Sequence, residues 1–473
     1  MTDESSWQPS RLIPVSGIRG EVEQERRGCS ALLAVFESVT KFGRAVLCPL
    51  GAPGGAVSTF VEVPFELGDR RVRPDGVIRV VWGKKSWTAL VEVKTSDGKL
   101  RADQVGDYLD LARQEGFDLV LTISNEIAVV SREHPTLAID KKKIKKGIGL
   151  AHISWSEIHT EAVVERANNQ IADSDQAWIL GELVRYLEHE NSGAVDFQDM
   201  GENWVRVREG AARDSLRPKD QGLIEVATRF DQLIAFAGLR LSRRLGVEVR
   251  PALTKAEISD IPGRTQAAAA TLVKDGALQG RLRVPHAAAD IRVITDLKAG
   301  RVRCSAAIGA PQDRGQKARV RWLLRQLASA PDDLQIEATT AYQKVPGPSV
   351  SVADLRDKPE LVILDKSKDI KSFTLTLSAR AGTKRGAGRG SFTDSVLDLV
   401  ELFYTEVVQA IKSWTEAAPP PVDLDPHGKG SGTEHIIGEL PSQSTPRPRT
   451  EAQEDGSQTK GPEMSRGMES MPV

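Results

Sequence analysis

From Glu21 to about Leu47, Cys29, Leu32, Phe36 and Val39 recur at three- and four-residue spacing, which places them on one stripe of a helix. The Gly51–Gly55 cluster, with Pro53, breaks the chain after it. Val57 to Phe65, Gly76 to Trp82 and Trp87 to Thr95 then read as strands, the last two separated by a turn at Gly83-Lys84-Lys85. A helix over Arg101 to Gln114 gathers Val105, Tyr108, Leu109 and Ala112 on one side. Leu119 to Ile123 is short and wholly apolar, the mark of a buried parallel or central strand. The order helix, three strands, helix, strand predicts an α/β unit: an antiparallel meander followed by a crossover, hence a mixed sheet with helices on both faces. A strand near Leu150–Trp155 and helices near Ser156–Asn168 and Gln176–Glu190 complete it.

Residues 191–220 are polar and irregular and read as a linker. A second, α+β domain follows over 221–414. It opens with a helix from about Gln221 to Leu245 and closes with one from Ser395 to Trp414. Between them lie strands at Leu282–Val284, Ile291–Thr295, Val302–Ile308, Leu334–Tyr342, Leu361–Leu364 and Phe373–Ala379, and a helix from Arg314 to Leu327. The expected organisation is an N-terminal arm at 1–19, a first domain at 20–190, the linker, the α+β domain, and a tail at 415–473. That tail carries Pro419-Pro420-Pro421 and few apolar residues, so disorder is expected of it.

Composition narrows the class. Of 473 residues, 40% are hydrophobic and 27% charged, and the formal net charge is −1, which excludes a polycationic or acidic solvating chain. Aromatics at 5% argue against binding by extended base stacking. Cys29, Cys48 and Cys304 are odd in number, widely spaced and form no CxxC, so neither a disulfide scaffold nor a structural zinc site is expected, and a reducing cytoplasm is the expected compartment. No apolar secretory core follows Met1, and no run of about 18 apolar residues predicts a membrane span.

The chemistry concentrates in Arg73-Pro74-Asp75-Gly76 and Leu90-Val91-Glu92-Val93-Lys94. Acidic-x-Lys triplets occur five times, at Glu92, Asp97, Asp140, Asp296 and Asp369, and only Glu92 stands in an otherwise apolar strand. Residues two apart on a strand share a face, so Glu92 and Lys94 project together. A hairpin turning near Gly83 and Lys84 brings Asp75 to the end of the strand that carries them. Two carboxylates at a sheet end suit a hard divalent cation. A same-face ion pair for Glu92 and Lys94, and a Pro-Asp-Gly turn for Asp75, are the structural alternatives.

Pro74-Asp75 and Glu92-Val93-Lys94, with the acidic residues 17 positions apart, resemble the PD-(D/E)XK nuclease superfamily. The αβββαβ order is similar to that superfamily's restriction-endonuclease-like core, and Gln104-Val105-Gly106-Asp107-Tyr108 resembles the QxxxY motif of its RecB-like members. The resemblance covers about residues 20–125. It implies Mg2+- or Mn2+-dependent hydrolysis of DNA phosphodiesters, with Asp75, Glu92 and Val93 at the metal and Lys94 as catalytic lysine. By the same resemblance Gln104 and Tyr108 position the lysine, the metal water or a phosphate, and a glutamate on the first helix faces the site. Glu25 fits best, because it continues the stripe of Cys29, Leu32 and Phe36; Glu21 lies one turn earlier on a similar face. A role in bacterial restriction or phage defence, with other defence components as partners, is also implied. A catalytically silent module of the same fold, binding DNA or protein, is the alternative; a structural component with a coincidental constellation is another.

Basic clusters supply candidate phosphate contacts. Lys141, Lys142 and Lys143 open a lysine-rich loop. Residues 281–325 hold eleven Lys or Arg against three Asp, a local net of +8. Within it Arg314, Lys317, Arg321 and Arg325 recur on one predicted helical face. Gly382 to Ser391 is a glycine-rich loop without Walker spacing.

Overall fold

The computed structural model describes residues 12–15, 17–135, 147–168, 171–312, 314–340, 347–363, 365 and 367–412. Helix α1 (Glu21–Ser38) buries Cys29, Leu32, Leu33 and Phe36. The expected single helix is broken at Val39, which takes φ −108° and ψ 84°, and α2 (Thr40–Leu47) follows. Val39 is fully buried, and the break lets Phe42 pack on Phe36 with ring centroids 5.5 Å apart. Tertiary packing here overrides a pattern that runs on in the sequence.

Five strands form the first sheet: β1 (Ala56–Val61), β4 (Gly76–Trp82), β5 (Lys85–Val93), β6 (Leu119–Ser124) and β7 (Gly149–Ser154). Their spatial order is β1-β4-β5-β6-β7. The first two pairings are antiparallel and the last two parallel, so the sheet is mixed, as the meander and crossover predict. A small hairpin, β2 (Phe65–Leu67) and β3 (Arg70–Val72), lies between β1 and β4 and is too short to show a period in sequence. Gly83 takes φ +59° in the two-residue turn between β4 and β5, a conformation that glycine adopts without a Cβ penalty.

Alternation along β5 divides the core. Ala89, Val91 and Val93 pack with α1, while Leu90 packs with Val105 and Leu109 of α3 (Ala102–Glu115) on the other face. Helices α4 (Trp155–Ala167) and α5 (Ser174–Leu187) cover the α1 face. Ser154 caps α4 in a reciprocal pair with Glu157.

The segment 191–220, expected to be irregular, carries helix α6 (Trp204–Ala212). Its Trp204 is fully buried against Phe392, with ring centroids 4.3 Å apart. Helix α7 (Leu223–Leu245) follows, then β8 (Arg250–Pro251), α8 (Lys255–Ser259), α9 (Ile261–Asp275), β9 (Ala277–Arg283), β10 (Ile291–Asp296) and β11 (Arg301–Gly309). Helix α10 (Gln316–Gln326), β12 (Gln335–Thr340), β13 (Val350–Ser351), α11 (Val352–Asp357), β14 (Ile370–Arg380) and α12 (Phe392–Phe403) complete the described chain. Seven of these strands form an antiparallel sheet in the order β13-β12-β14-β11-β10-β9-β8, with α7 and α12 on its apolar face. Leu361–Leu364 is not a strand as far as it is described: Pro359–Val362 is a 3-10 turn, begun by a proline that has no N–H for a ladder. The chain near Ser395 is helical from Phe392 to Phe403 and continues as a π turn at Tyr404–Val408. Helix α9 was not expected, because its Ala267–Ala270 run shows no apolar stripe. The predicted disordered tail, 415–473, lies outside the described residues. Among the described residues no helix is long and apolar enough to cross a membrane.

Candidate active site

The geometry at the end of β5 follows from register. Gly76 pairs with Val91, so β5 runs two residues past the start of β4. The Val93 N–H on that side has no strand partner, and a buried donor left open is costly. Asp75, immediately before β4, fills the gap: its Oδ2 accepts from the Val93 N–H at 2.8 Å. On the other side the Lys94 N–H donates to the Ile123 carbonyl at 2.8 Å and continues the parallel ladder toward β6.

Glu92 shares the face of Leu90 and therefore points toward α3. Its side chain is 2% exposed. The Lys94 Nζ lies 2.8 Å from Glu92 Oε1, and Gln104 Nε2 donates to the same oxygen at 2.7 Å. Gln104 Nε2 also donates to the Tyr108 hydroxyl at 3.2 Å, one turn along α3, and that hydroxyl donates to the Arg73 carbonyl at 3.5 Å. From the opposite face α1 contributes Glu25, whose Oε2 is 3.3 Å from Lys94 Nζ. Lys94 Nζ donates in addition to the Val93 carbonyl at 3.1 Å. Glu21 is exposed at the start of α1, so Glu25 is the acid that α1 brings to the lysine.

Electrostatics follow from burial. Glu92 is pushed up to about 7, first by desolvation and then by the Asp75 charge, with Lys94 and Tyr108 opposing. Asp75 is raised by desolvation, against the pull of the Val93 N–H and Lys94. Glu25 is raised by desolvation in the same way, with Lys94 opposing. For Lys94, desolvation favours proton loss, but Glu92, Glu25 and Asp75 outweigh it and hold the ammonium charged. Three acids are thus gathered around one cation, an excess of negative charge that a second cation would relieve.

Among the described residues no group of three or more His, Cys, Asp or Glu side chains is arranged to hold a metal ion. The oxygens available at the sheet end are the Asp75 and Glu92 carboxylates and the Val93 carbonyl. All are hard donors of the kind magnesium takes while retaining waters, so the donor chemistry fits that ion.

Two features of the site had no local signal. Trp155 Nε1, 61 residues further on, donates to the Lys94 carbonyl at 2.9 Å and fixes the backbone under the lysine. Ser96, at φ +48°, donates its N–H to the Gly193 carbonyl at 2.8 Å and its hydroxyl to Gln24 at the same distance. Of the basic candidates, Lys317, Arg321 and Arg325 are exposed on α10, but Arg314 precedes the helix, which starts at Gln316 after Gly315. Lys141, Lys142 and Lys143 lie outside the described residues.

Compared with known proteins, the chain has no match among family models, curated proteins or solved structures.

Proposed function

We propose that this protein is a metal-dependent nuclease of the PD-(D/E)XK superfamily that hydrolyses DNA phosphodiester bonds. The convergence of Asp75, Glu92 and Lys94 on one sheet end, with Gln104 of the next helix hydrogen-bonded to Glu92, carries the reading. Asp75, Glu92 and the Val93 carbonyl would hold Mg2+ or Mn2+, which when bound supplies a Lewis acid for the phosphate and acidifies a water. Lys94, kept protonated by its three acids, offers its N–H bonds to the charge that builds on phosphorus oxygens during attack. Gln104 and Tyr108 act as positioning residues: they hold Glu92 in one rotamer. The exposed Lys317, Arg321 and Arg325 of α10 offer phosphate contacts.

The test is cleavage of supercoiled plasmid with magnesium by the wild-type chain, Asp75→Ala and Lys94→Ala, with folding checked by circular dichroism. Nicked or linear product from the wild type alone is expected. Wild-type protein that binds but never cuts, with magnesium or manganese, would sink the catalytic reading.

A further inference from the structure

Among the described residues, the seven-stranded sheet packs its core on one face, and its strands alternate buried and more exposed positions. Val302, Cys304, Ala306 and Ile308 of β11 turn into the core, whereas Arg301 and Arg303 stand exposed on the other side. Register shows what that open face carries. Arg281 of β9 lies directly opposite Arg292 of β10, and Arg301 of β11 directly opposite Arg380 of β14. At the sheet edge Arg250 stands opposite Arg283. Like charges directly opposite on neighbouring strands are destabilising, so the fold keeps an arrangement that its own stability disfavours three times over.

Acidic neighbours offset only part of this charge. Arg283 pairs with Asp290 at 2.9 Å, Arg281 with Glu257 at 3.4 Å and Arg303 with Asp296 at 3.7 Å. Arg292, Arg301 and Arg380 form no salt bridge with any described residue. Arg301 and Arg380 border a groove of about 550 Å³ that also meets Arg208 and Lys298.

The arginines form a band rather than a cluster. Arg281 and Arg292 share one register row, Arg303 lies in the next same-face row, and Arg301 and Arg380 share the one after. With strands about 4.8 Å apart and a rise of about 3.4 Å per residue, the band crosses the sheet diagonally over roughly 20 Å. That length matches an extended polyanion with regularly spaced charges, about six steps of duplex DNA. No aromatic side chain stands in these rows, so they offer nothing on which unpaired bases could stack. Guanidinium forks suit phosphate oxygens.

We propose that the open face of the seven-stranded sheet binds the phosphate backbone of double-stranded DNA through Arg292, Arg301, Arg303 and Arg380. The choice of DNA rests on the nuclease reading; the polyanion surface does not. It is a binding surface apart from the helix α10 stripe, and it lies on a different sheet from Asp75 and Glu92.

The experiment is anisotropy titration of a labelled duplex oligonucleotide in EDTA, at several salt concentrations, with the full chain. Arg292→Ala/Arg301→Ala/Arg380→Ala is expected to bind about tenfold or more weaker. The slope of log affinity against log salt should shrink by about 2.7, near 0.9 for each phosphate that is no longer neutralised. The triple lysine variant should recover most of that slope, and matched thermal melts show that folding is kept. Unchanged affinity and slope in the alanine variant overturn the proposal. So does a single strand of equal length, or polyglutamate, that competes as well as the duplex. Duplex binding abolished in the triple variant, together with no cleavage by the wild type in magnesium, supports this surface and removes only the nuclease reading.

Discussion

Asp75 accepts the backbone N–H of Val93 at 2.8 Å across the open end of the β4–β5 hairpin. The bond ties the acid before one strand to the end of its neighbour, where Glu92 and Lys94 project. It also places the half-buried Asp75 carboxylate beside the buried Glu92; desolvation raises the affinity of both for protons, the Asp75 charge adds to it at Glu92, and a divalent cation has something to relieve.

Magnesium is therefore expected to raise the melting temperature of the wild-type chain, by the equivalent of about 2.7 kcal/mol at roughly one hundred times the dissociation constant. Asp75→Ala should abolish the rise. Scanning fluorimetry in magnesium and in EDTA reads this directly, and identical wild-type curves would count against the ion.

Lys94→Met leaves Glu92 and Glu25 without their ammonium. Breaking a largely buried pair in this way is expected to cost about 3 kcal/mol near pH 8. The loss should shrink near pH 5, where Glu92, raised to about 7, is already protonated. Urea titrations at both values check it; an equal loss at both pH values would contradict the assigned partners.

Two buried groups impose opposite pH dependences. His152, bonded to Thr122 at 2.9 Å and the Glu126 carbonyl at 2.8 Å, is lowered to about 4 from 6.5 by desolvation, against the pull of that carbonyl. Its folded value lies below the unfolded one, so its contribution is whole above about 6.5 and is lost as pH falls toward 4. Glu92, raised from 4.5 to about 7, contributes stability below about 4.5 that is lost as pH rises through 7. His152→Gln should lose less stability than the wild type on acidification from pH 6.5 to 4. Glu92→Gln should lose less between pH 4.5 and 7. Metal-free denaturation series read both differences, and parallel wild-type and variant curves would refute either assignment.

Trp204→Ala is expected to destabilise the chain by about 3–5 kcal/mol, because the indole is fully buried on Phe392. A passive connector would tolerate the change, so an unaltered denaturation midpoint would restore the linker reading of 191–220.

Much of the first sheet was legible because its strands announce themselves locally. Gly76–Trp82 and Leu119–Ser124 are bounded by turn residues, and the Gln104–Tyr108 pair needs only helical spacing to meet. The break at Val39 and the hydrogen bond from Trp155 to the Lys94 carbonyl were not legible, since each depends on atoms brought together from distant positions. The basic stretch 281–325 was visible as composition, with its helix as the expected carrier. Strand register instead sets Arg301 against Arg380, 79 positions away.

By itself, then, the sequence determined which segments form helices and strands around the acidic and lysine motif, because periodicity and turn chemistry act over a few residues. Tertiary structure alone decided that Asp75 caps Val93, that Trp155 holds the Lys94 carbonyl, and that arginines from separate strands line one open face. Those outcomes are set by register and by which sheet face each helix covers, quantities that no local pattern carries.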